Sequence, residues 1–162
     1  MNTNWTIFQD LDGCLADFDK GVKQVTGKAP DQQPVKDMWR ALAKHGDFYY
    51  SLDFMPDAKQ LWSYVAPHNP IILSGLPLGN WAAGQKKRWV GEKLGWHIPT
   101  VLGMARDKPQ DAMKYLGVSD LDGCILIDDR KKAQGPWEAA GGTFILHTSA
   151  KNTINQLKAL DI

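Results

Sequence analysis

The stretch Trp5-Thr-Ile-Phe-Gln-Asp-Leu-Asp-Gly13 decides the fold of this chain, because a short apolar run leads directly into two alternate carboxylates. Near-continuous apolar runs of this length are typical of strands that are covered on both faces, as in a parallel sheet. We therefore predict a strand over residues 5–10, with Asp10 and Asp12 placed where it ends.

Four more apolar runs follow, and the segments between them have helix-forming composition and end at glycines. Alternating strands and helices indicate βαβ units, and so an α/β fold with a Rossmann-like, parallel, five-stranded sheet flanked by helices. The further strands are predicted at residues 70–74, 98–102, 124–128 and 143–147. The helices that accompany them are predicted at residues 81–94, 109–116 and 151–160.

The interval between the first and second strands is about sixty residues long, far more than one crossover connection needs. We interpret the excess as a small helical cap inserted after the first strand. Its three predicted helices lie near residues 15–26, 34–45 and 56–66. The predicted division is a core of residues 1–16 and 69–162 and a cap of residues 17–68.

The bulk composition excludes several functional classes. A length of 162 residues corresponds to about one domain. With a formal net charge of +1, the protein has no overall electrostatic field that would attract nucleic acid or an anionic membrane. It shows no signal peptide and no apolar stretch of the ~20 residues that a membrane span needs, so we expect a soluble, cytoplasmic protein. Cys14 and Cys124 have no metal-ligand spacing and are predicted to be buried free thiols.

Polar residues follow three of the predicted strands. The carboxyl ends of parallel strands meet at one edge of an open α/β sheet, and ligands bind there. Two carboxylates as close as Asp10 and Asp12 repel each other unless a cation lies between them, and Mg²⁺ prefers oxygen ligands. The residues expected at this edge are Asp10, Asp12, Ser74, Gly75, Asp128 and Asp129, with Lys108 just beyond the third strand.

These polar residues have distinct expected roles. The adjacent acids Asp128 and Asp129 close a buried strand, which is costly without a compensating cation. One of them is a candidate metal ligand, and the other is expected to tune that ligand without contacting the ion. The Ser74 hydroxyl and the backbone N–H of Gly75 are candidates for holding phosphate oxygens. The basic residues Lys86, Lys87, Arg88 and Lys93 are interpreted as the solvent-facing side of their helix.

The four motifs Asp10-Leu-Asp12-Gly-Cys, Ile-Leu-Ser74-Gly, Lys108 and Ile-Asp128-Asp129 resemble, in this order, those of the haloacid dehalogenase-like (HAD) phosphatase superfamily. The resemblance spans nearly the whole chain. It implies that Asp10 is the nucleophile and Asp12 the general acid and base, and that Ser74 and Lys108 bind phosphate. It also implies that Mg²⁺ is held by Asp10, by the backbone carbonyl of Asp12 and by Asp129, and that Asp128 supports these ligands without contacting the ion.

A narrower resemblance is to the 5'(3')-deoxyribonucleotidases. It is carried by Asp10-x-Asp-Gly-x-x-x-Asp-Phe18, Phe48-x-x-x-Leu52, Pro56-x-Ala58, Lys86-x-x-Trp89-Val90, Arg106-Asp107-Lys108 and Leu126-Ile-Asp-Asp129. It implies that Phe18 lines a nucleoside pocket. The run Asp128-Asp129-Arg130, together with Trp137, is also similar to polynucleotide 3'-phosphatase domains, so the substrate stays open at this point.

The sequence thus predicts a Mg²⁺-dependent phosphomonoester hydrolase that forms an aspartyl phosphate and acts on a small molecule, with (deoxy)nucleoside monophosphates as the first candidate. The alternatives are a polynucleotide 3'-phosphatase, another small-metabolite phosphatase, a receiver-type domain phosphorylated on aspartate, and an inactive binding module. Neither a membrane nor a long nucleic acid is an expected partner, because polyanion binding needs several Lys or Arg contacts.

Overall fold

The computed structural model describes residues 4–162, and its centre is a sheet of five parallel strands in the order β3-β2-β1-β4-β5. This confirms the predicted five-stranded parallel sheet and its α/β class. The strands are β1 (Thr6–Gln9), β2 (Ile71–Gly75), β3 (Thr100–Gly103), β4 (Cys124–Asp128) and β5 (Thr143–Leu146).

Helices connect the strands and form the long interval after β1. The helices are α1 (Phe18–Thr26), α2 (Val35–Lys44), α3 (Ala58–Val65), α4 (Ala83–Lys93), α5 (Lys108–Leu116), α6 (Gln134–Ala139) and α7 (Ala150–Ala159). Helix α6 was not predicted, because it is short and contains Gly135 and Pro136, both poor helix formers.

Apolar side chains cover both faces of the sheet, as the near-continuous apolar strands require. One face is packed by residues of α3, α4 and α7, such as Leu61, Trp89 and Leu157. The other face is packed by α5 and α6, and there Trp137 lies edge-on against Phe8 with 5.5 Å between the ring centroids. Burial of this kind contributes roughly 25 cal/mol for each Å² of apolar surface, so the sheet is a firm base for its carboxyl edge.

The segment between β1 and α3 leaves the sheet edge at residues 15–17 and returns to it at residues 53–55. These two stretches of backbone are hydrogen-bonded to each other. The Asp17 N–H donates to the Asp53 carbonyl at 2.8 Å, and the Met55 N–H donates to the Leu15 carbonyl at 2.8 Å. Ala16 and Phe54 form an antiparallel bridge between these two bonds. Helices α1 and α2 therefore lie on a segment whose two ends are joined to each other.

Helix α3 packs against α7 at the far end of the chain. The Ala150 N–H donates to the Asp57 carboxylate at 2.6 Å, and the Tyr64 hydroxyl donates to the Ile162 carbonyl at 2.6 Å. Side chains of α3 also belong to the same apolar cluster as the sheet. The division into a core and a cap ending at residue 68 stays a prediction.

Two further observations concern the cysteines and the apolar character of the helices. Cys14 and Cys124 are both buried and free, as predicted. Within residues 4–162, none of the helices has the length and apolar character that crossing a membrane would demand.

Candidate active site

The sheet topology gathers the predicted polar residues at one edge. Strand β1 is central, and its neighbours are β2 on one side and β4 on the other. The chain reverses its direction across the sheet at β1, and such switch points form a crevice at the carboxyl ends of the strands. Asp10 follows β1, Ser74 lies near the end of β2, and Asp128 ends β4.

Lys108 connects the ends of β1 and β4. Its Nζ donates to Asp10 Oδ1 at 3.1 Å and to Asp128 Oδ2 at 2.7 Å, and all three side chains are buried. Burial alone would lower the pKa of Lys108, but the two carboxylates raise it above its ordinary value, so the side chain is an ammonium. The other Asp128 oxygen accepts a hydrogen bond from the Arg130 N–H at 2.9 Å.

The Asp10 carboxyl group lies in a crowded acidic environment. Burial raises its pKa well above the ordinary value, Lys108 lowers it, and Asp128, Asp129 and Asp12 raise it further. Lys108 alone therefore does not neutralise this group of carboxylates.

Gly13 lets Asp129 approach the loop that follows β1. Its φ is +83°, and a Cβ added there would lie 2.0 Å from Asp129 Oδ2. Ligand atoms of Asp10, Cys14 and Asp129 lie within 4.8 Å of one another. Burial raises the pKa of Asp129 to about 6, a hydrogen bond with Asp10 lowers it, and Asp128 raises it.

This donor set fits Mg²⁺. The carboxylates of Asp10 and Asp129 converge beside a loop whose glycine leaves room for them, and burial is the largest cause that raises the pKa of both. A nearby cation would favour their ionised forms. Carboxylate and carbonyl oxygens are the ligands that Mg²⁺ prefers, usually with several waters retained. Asp10 and Asp129 are the side chains that would hold the ion, and the Asp12 backbone carbonyl stays the predicted third ligand.

The interpretation of Lys86 as a solvent-facing residue was wrong. Its side chain is 2% exposed. Its Nζ donates to Asp12 Oδ2 at 2.9 Å, to Ser74 Oγ at 2.9 Å and to the Gly75 carbonyl at 2.6 Å. Lys87, Arg88 and Lys93 of the same helix are exposed, as predicted.

A cavity of about 790 Å³ opens above these residues, within the range of small-molecule sites. Its floor includes Asp10, Asp12, Gly75, Lys108 and Asp129. Ser74 is buried, and its hydroxyl contacts Lys86. The structure therefore brings all the predicted site residues to one place, with Ser74 beneath the floor.

Aromatic side chains from the segment after β1 form one wall of the cavity. Phe18, Trp39 and Tyr49 line it. Phe18 contacts Trp39, Phe48 and Tyr49, with ring centroids 5.8, 5.6 and 6.2 Å away. Phe18 is only half-buried, so part of its ring faces the cavity.

A second part of the cavity lining, the basic wall, consists of cationic side chains. Arg106, Arg130 and Lys132 line the cavity and are exposed, and no salt bridge involves them among residues 4–162. Trp137, which took part in the likeness to polynucleotide 3'-phosphatases, is instead a core residue. It is fully buried, and its Nε1 donates to the Cys124 carbonyl at 3.3 Å.

The solved structures that match this fold include proteins described as HAD-superfamily hydrolases. A predicted phosphatase from Clostridium acetobutylicum matches with a TM-score of 0.62 and 14% identity over 98% of this chain and 99% of that one. A HAD family hydrolase from Deinococcus radiodurans, solved with bound phosphate and sodium, matches with a TM-score of 0.54 and 18% identity over 88% and 80%. The predicted HAD-like fold is thereby confirmed.

The same fold also occurs with a different chemistry. L-2-haloacid dehalogenase from Xanthobacter autotrophicus, with chloropropionic acid covalently bound, matches with a TM-score of 0.59 and 14% identity over 98% of this chain and 83% of that one. No protein-family model matches the chain, and no curated protein does. The fold alone therefore does not name the reaction, which has to be argued from the site.

The approach of Asp129 to Gly13 gives a first prediction. Gly13→Ala places a methyl group where Asp129 Oδ2 lies, so it should displace that carboxylate and weaken Mg²⁺ binding by at least ~10-fold, as loss of a supporting group does at other metal sites. Isothermal titration calorimetry with Mg²⁺ measures the change.

Gly27→Ala is the matched control for Gly13→Ala. Gly27 has a φ of +80° but open space around its Cβ position, so both variants carry the same left-handed strain of about 1–2 kcal/mol. We expect Gly27→Ala to lower the melting temperature without changing Mg²⁺ affinity. Equal Mg²⁺ affinities for both variants would contradict the predicted ligand role of Asp129.

The raised pKa of Asp129 gives a second prediction. A proton competes with Mg²⁺ for a carboxylate whose pKa is about 6 in the metal-free protein, so lowering the pH from 7 to 5 should weaken Mg²⁺ binding. The expected loss is at least roughly 10-fold, one decade for each pH unit below the pKa. Calorimetric titrations at pH 5 and pH 7 test it.

Asp129→Asn and Asp37→Asn separate this effect from a general acid effect. Asp129→Asn should bind Mg²⁺ weakly at pH 7 and lose most of the pH dependence, whereas the exposed Asp37 should have no influence. A wild-type affinity that is the same at both pH values would contradict the expected competition between a proton and Mg²⁺ at Asp129.

Proposed function

We propose that this chain is a Mg²⁺-dependent phosphomonoester hydrolase that acts through an aspartyl phosphate on Asp10, with (deoxy)nucleoside monophosphates as its substrates. One observation carries the proposal. A buried carboxylate, Asp10, contacts the Lys108 ammonium at 3.1 Å on the floor of a cavity that Asp12 and Asp129 also line. A phosphoryl group in this cavity would meet a nucleophile, an ammonium and an acid at the same point.

The first step joins Asp10 to phosphorus. A carboxylate oxygen of Asp10 forms a bond to phosphorus while the bond from phosphorus to the ester oxygen breaks. The departing oxygen takes a proton from the Asp12 carboxyl group, so the alcohol leaves neutral. Lys108 lies beside Asp10 and stabilises the negative charge on the phosphoryl oxygens during transfer.

The second step restores the enzyme. Asp12, now a carboxylate, takes a proton from a water molecule whose oxygen attacks the phosphorus of the aspartyl phosphate. The bond from phosphorus to Asp10 breaks, and inorganic phosphate leaves. Bound Mg²⁺ would favour the ionised form of Asp10 and neutralise phosphate charge.

The aromatic wall supports a nucleotide as substrate. Stacking of a base on an aromatic side chain is worth about 1–3 kcal/mol by alanine substitution. The half-buried Phe18 ring is the candidate platform, because its edge contacts with Phe48 leave it fixed within the wall. A cavity of about 790 Å³ has room for a mononucleotide.

A second candidate, a phosphatase for the 3' end of a nucleic acid, is favoured by the basic wall. Arg106, Arg130 and Lys132 are available to contact further backbone phosphates. Each phosphate contact would steepen the salt dependence of binding. Cleavage of a 3'-phosphorylated oligonucleotide with higher kcat/KM than a mononucleotide, decreasing steeply with salt, would favour this candidate over the nucleotidase.

The nucleophile assignment gives a third prediction. Asp10→Asn keeps the size of the side chain but removes the charge that attacks phosphorus, so turnover should fall by at least ~10³. After an acid quench, the wild-type peptide that contains Asp10 should carry a phosphoryl group by mass spectrometry, and the variant peptide should not. The exposed Asp37→Asn is the control, with wild-type turnover expected. A folded Asp10→Asn protein that keeps a tenth of the activity would rule out this nucleophile.

The aromatic wall gives a fourth prediction. Deoxynucleoside monophosphates should be cleaved with higher kcat/KM than ribose 5-phosphate, and Phe18→Ala should reduce that ratio by roughly 5- to 150-fold, the equivalent of the stacking energy. Hydrolysis of a small aryl phosphate should be largely unchanged. Steady-state phosphate release on the three substrates measures the ratio.

Phe54→Ala is the matched control for lost aromatic packing. Phe54 packs against Trp89 with 5.3 Å between centroids and does not line the cavity, so this variant should lower stability but keep the substrate ratio. Equal efficiency of the wild-type enzyme on ribose 5-phosphate and on nucleotides would remove the nucleotidase proposal and leave the phosphatase proposal intact.

A further inference from the structure

Lys86 is a buried cation in a position that the proposed reaction has not yet used. It lies on α4, and all three of its acceptors belong to the carboxyl edge of the sheet: Asp12 Oδ2, Ser74 Oγ and the Gly75 carbonyl. An ammonium has three hydrogens, so its hydrogen-bonding capacity is filled by the protein. The Tyr49 ring covers it, with the Nζ 4.4 Å from the ring centroid.

Lys86 and Lys108 each pair with a different carboxylate of the first motif, Asp10-Leu-Asp12. Lys108 contacts Asp10 and Asp128, whereas Lys86 contacts Asp12. Lys108 lines the cavity and Lys86 does not. Lys86 therefore has neither the exposure nor a free hydrogen with which to bind a substrate phosphate, and its effect on the reaction has to pass through a neighbour.

Asp12 is the neighbour through which Lys86 can act. Its side chain is 26% exposed and lines the cavity. Lys86 engages Oδ2 alone, and no hydrogen bond to Oδ1 occurs among residues 4–162. The hydrogen bond from the ammonium holds Oδ2 in place, so Oδ1 is the Asp12 oxygen that is left to meet a substrate.

We infer that Lys86 is a positioning residue for Asp12, which fixes Oδ2 and so presents Oδ1 with its proton to the leaving oxygen of the substrate. The inference rests on the proposed function, in which Asp12 is the acid. In the step concerned, the Oδ1–H bond breaks and an O–H bond forms on the leaving oxygen as its bond to phosphorus breaks. A general acid acts only within hydrogen-bond reach of that oxygen, so a freely rotating Asp12 would be a poorer acid.

The dependence of rate on the leaving group tests the inference. A 2,4-dinitrophenolate leaves without a proton, whereas an alkoxide needs one, so loss of acid positioning harms only the alkyl ester. We expect Lys86→Met to lower kcat/KM for a deoxynucleoside monophosphate by at least ~10², the lower range of general acid catalysis. The loss for 2,4-dinitrophenyl phosphate should stay under ~10-fold. The parameter kcat/KM is chosen because it excludes the later hydrolysis of the aspartyl phosphate.

Two further variants complete the experiment. Asp12→Asn should show the same selective loss, and the double variant Asp12→Asn/Lys86→Met should be no worse than Asp12→Asn, because residues that act as one unit are not additive. Lys87→Met, an exposed neighbour on the same helix, should match the wild type on both substrates. If Lys86→Met does not fold by circular dichroism, Lys86→Gln is measured in the same way.

The outcomes are distinguishable. A wild-type chain inactive on both substrates contradicts the proposed function itself. An active wild type with equal losses on both substrates for Lys86→Met, or additive losses in the double variant, overturns the role of Lys86 and leaves the phosphatase proposal standing. A selective loss on the alkyl ester with a non-additive double variant supports it.

Discussion

One buried ammonium, the Nζ of Lys108, determines how the carboxyl edge of this sheet is built. Asp10 and Asp128 end adjacent parallel strands, so the sheet brings their carboxylates together whether or not their charges permit it. Repulsion between close carboxylates raises their pKa values and opposes ionisation. Lys108 offsets part of that repulsion from the first turn of α5, which places its side chain between the two strands.

A second buried ammonium, the Nζ of Lys86, forms a similar arrangement at Asp12, two residues after Asp10. Lys86 enters from α4 and compensates Asp12, with the Ser74 hydroxyl and the Gly75 carbonyl completing its shell. Two helices that cover opposite faces of the sheet thus each supply one lysine to the same edge. The carboxylate that neither lysine contacts is Asp129, the side chain best placed to take a metal ion.

The sheet and the position of its edge could be predicted because the strands are short apolar runs, and polar residues follow three of the predicted ones. The role of Lys86 could not, because four basic residues within eight positions look like the wet side of a helix, and only tertiary packing shows which one points inward. Trp137, which is part of the resemblance to polynucleotide 3'-phosphatase domains, lies in the core and not in the cavity lining. Helix α6 was missed since Gly135 and Pro136 weaken its local signal.

The paired backbone at residues 15–17 and 53–55 has a consequence for how such a protein can diversify. Because the two crossings are hydrogen-bonded to each other, the ends of the helical segment between them stay together whatever lies in between. The entropy of closing a loop grows only slowly with its length, so residues 18–52 could change in length without separating these ends. Replacing them would alter which molecules fit the cavity and would remove the Tyr49 ring that covers Lys86, while the strand ends that carry Asp10, Ser74 and Asp128 would be inherited with the sheet.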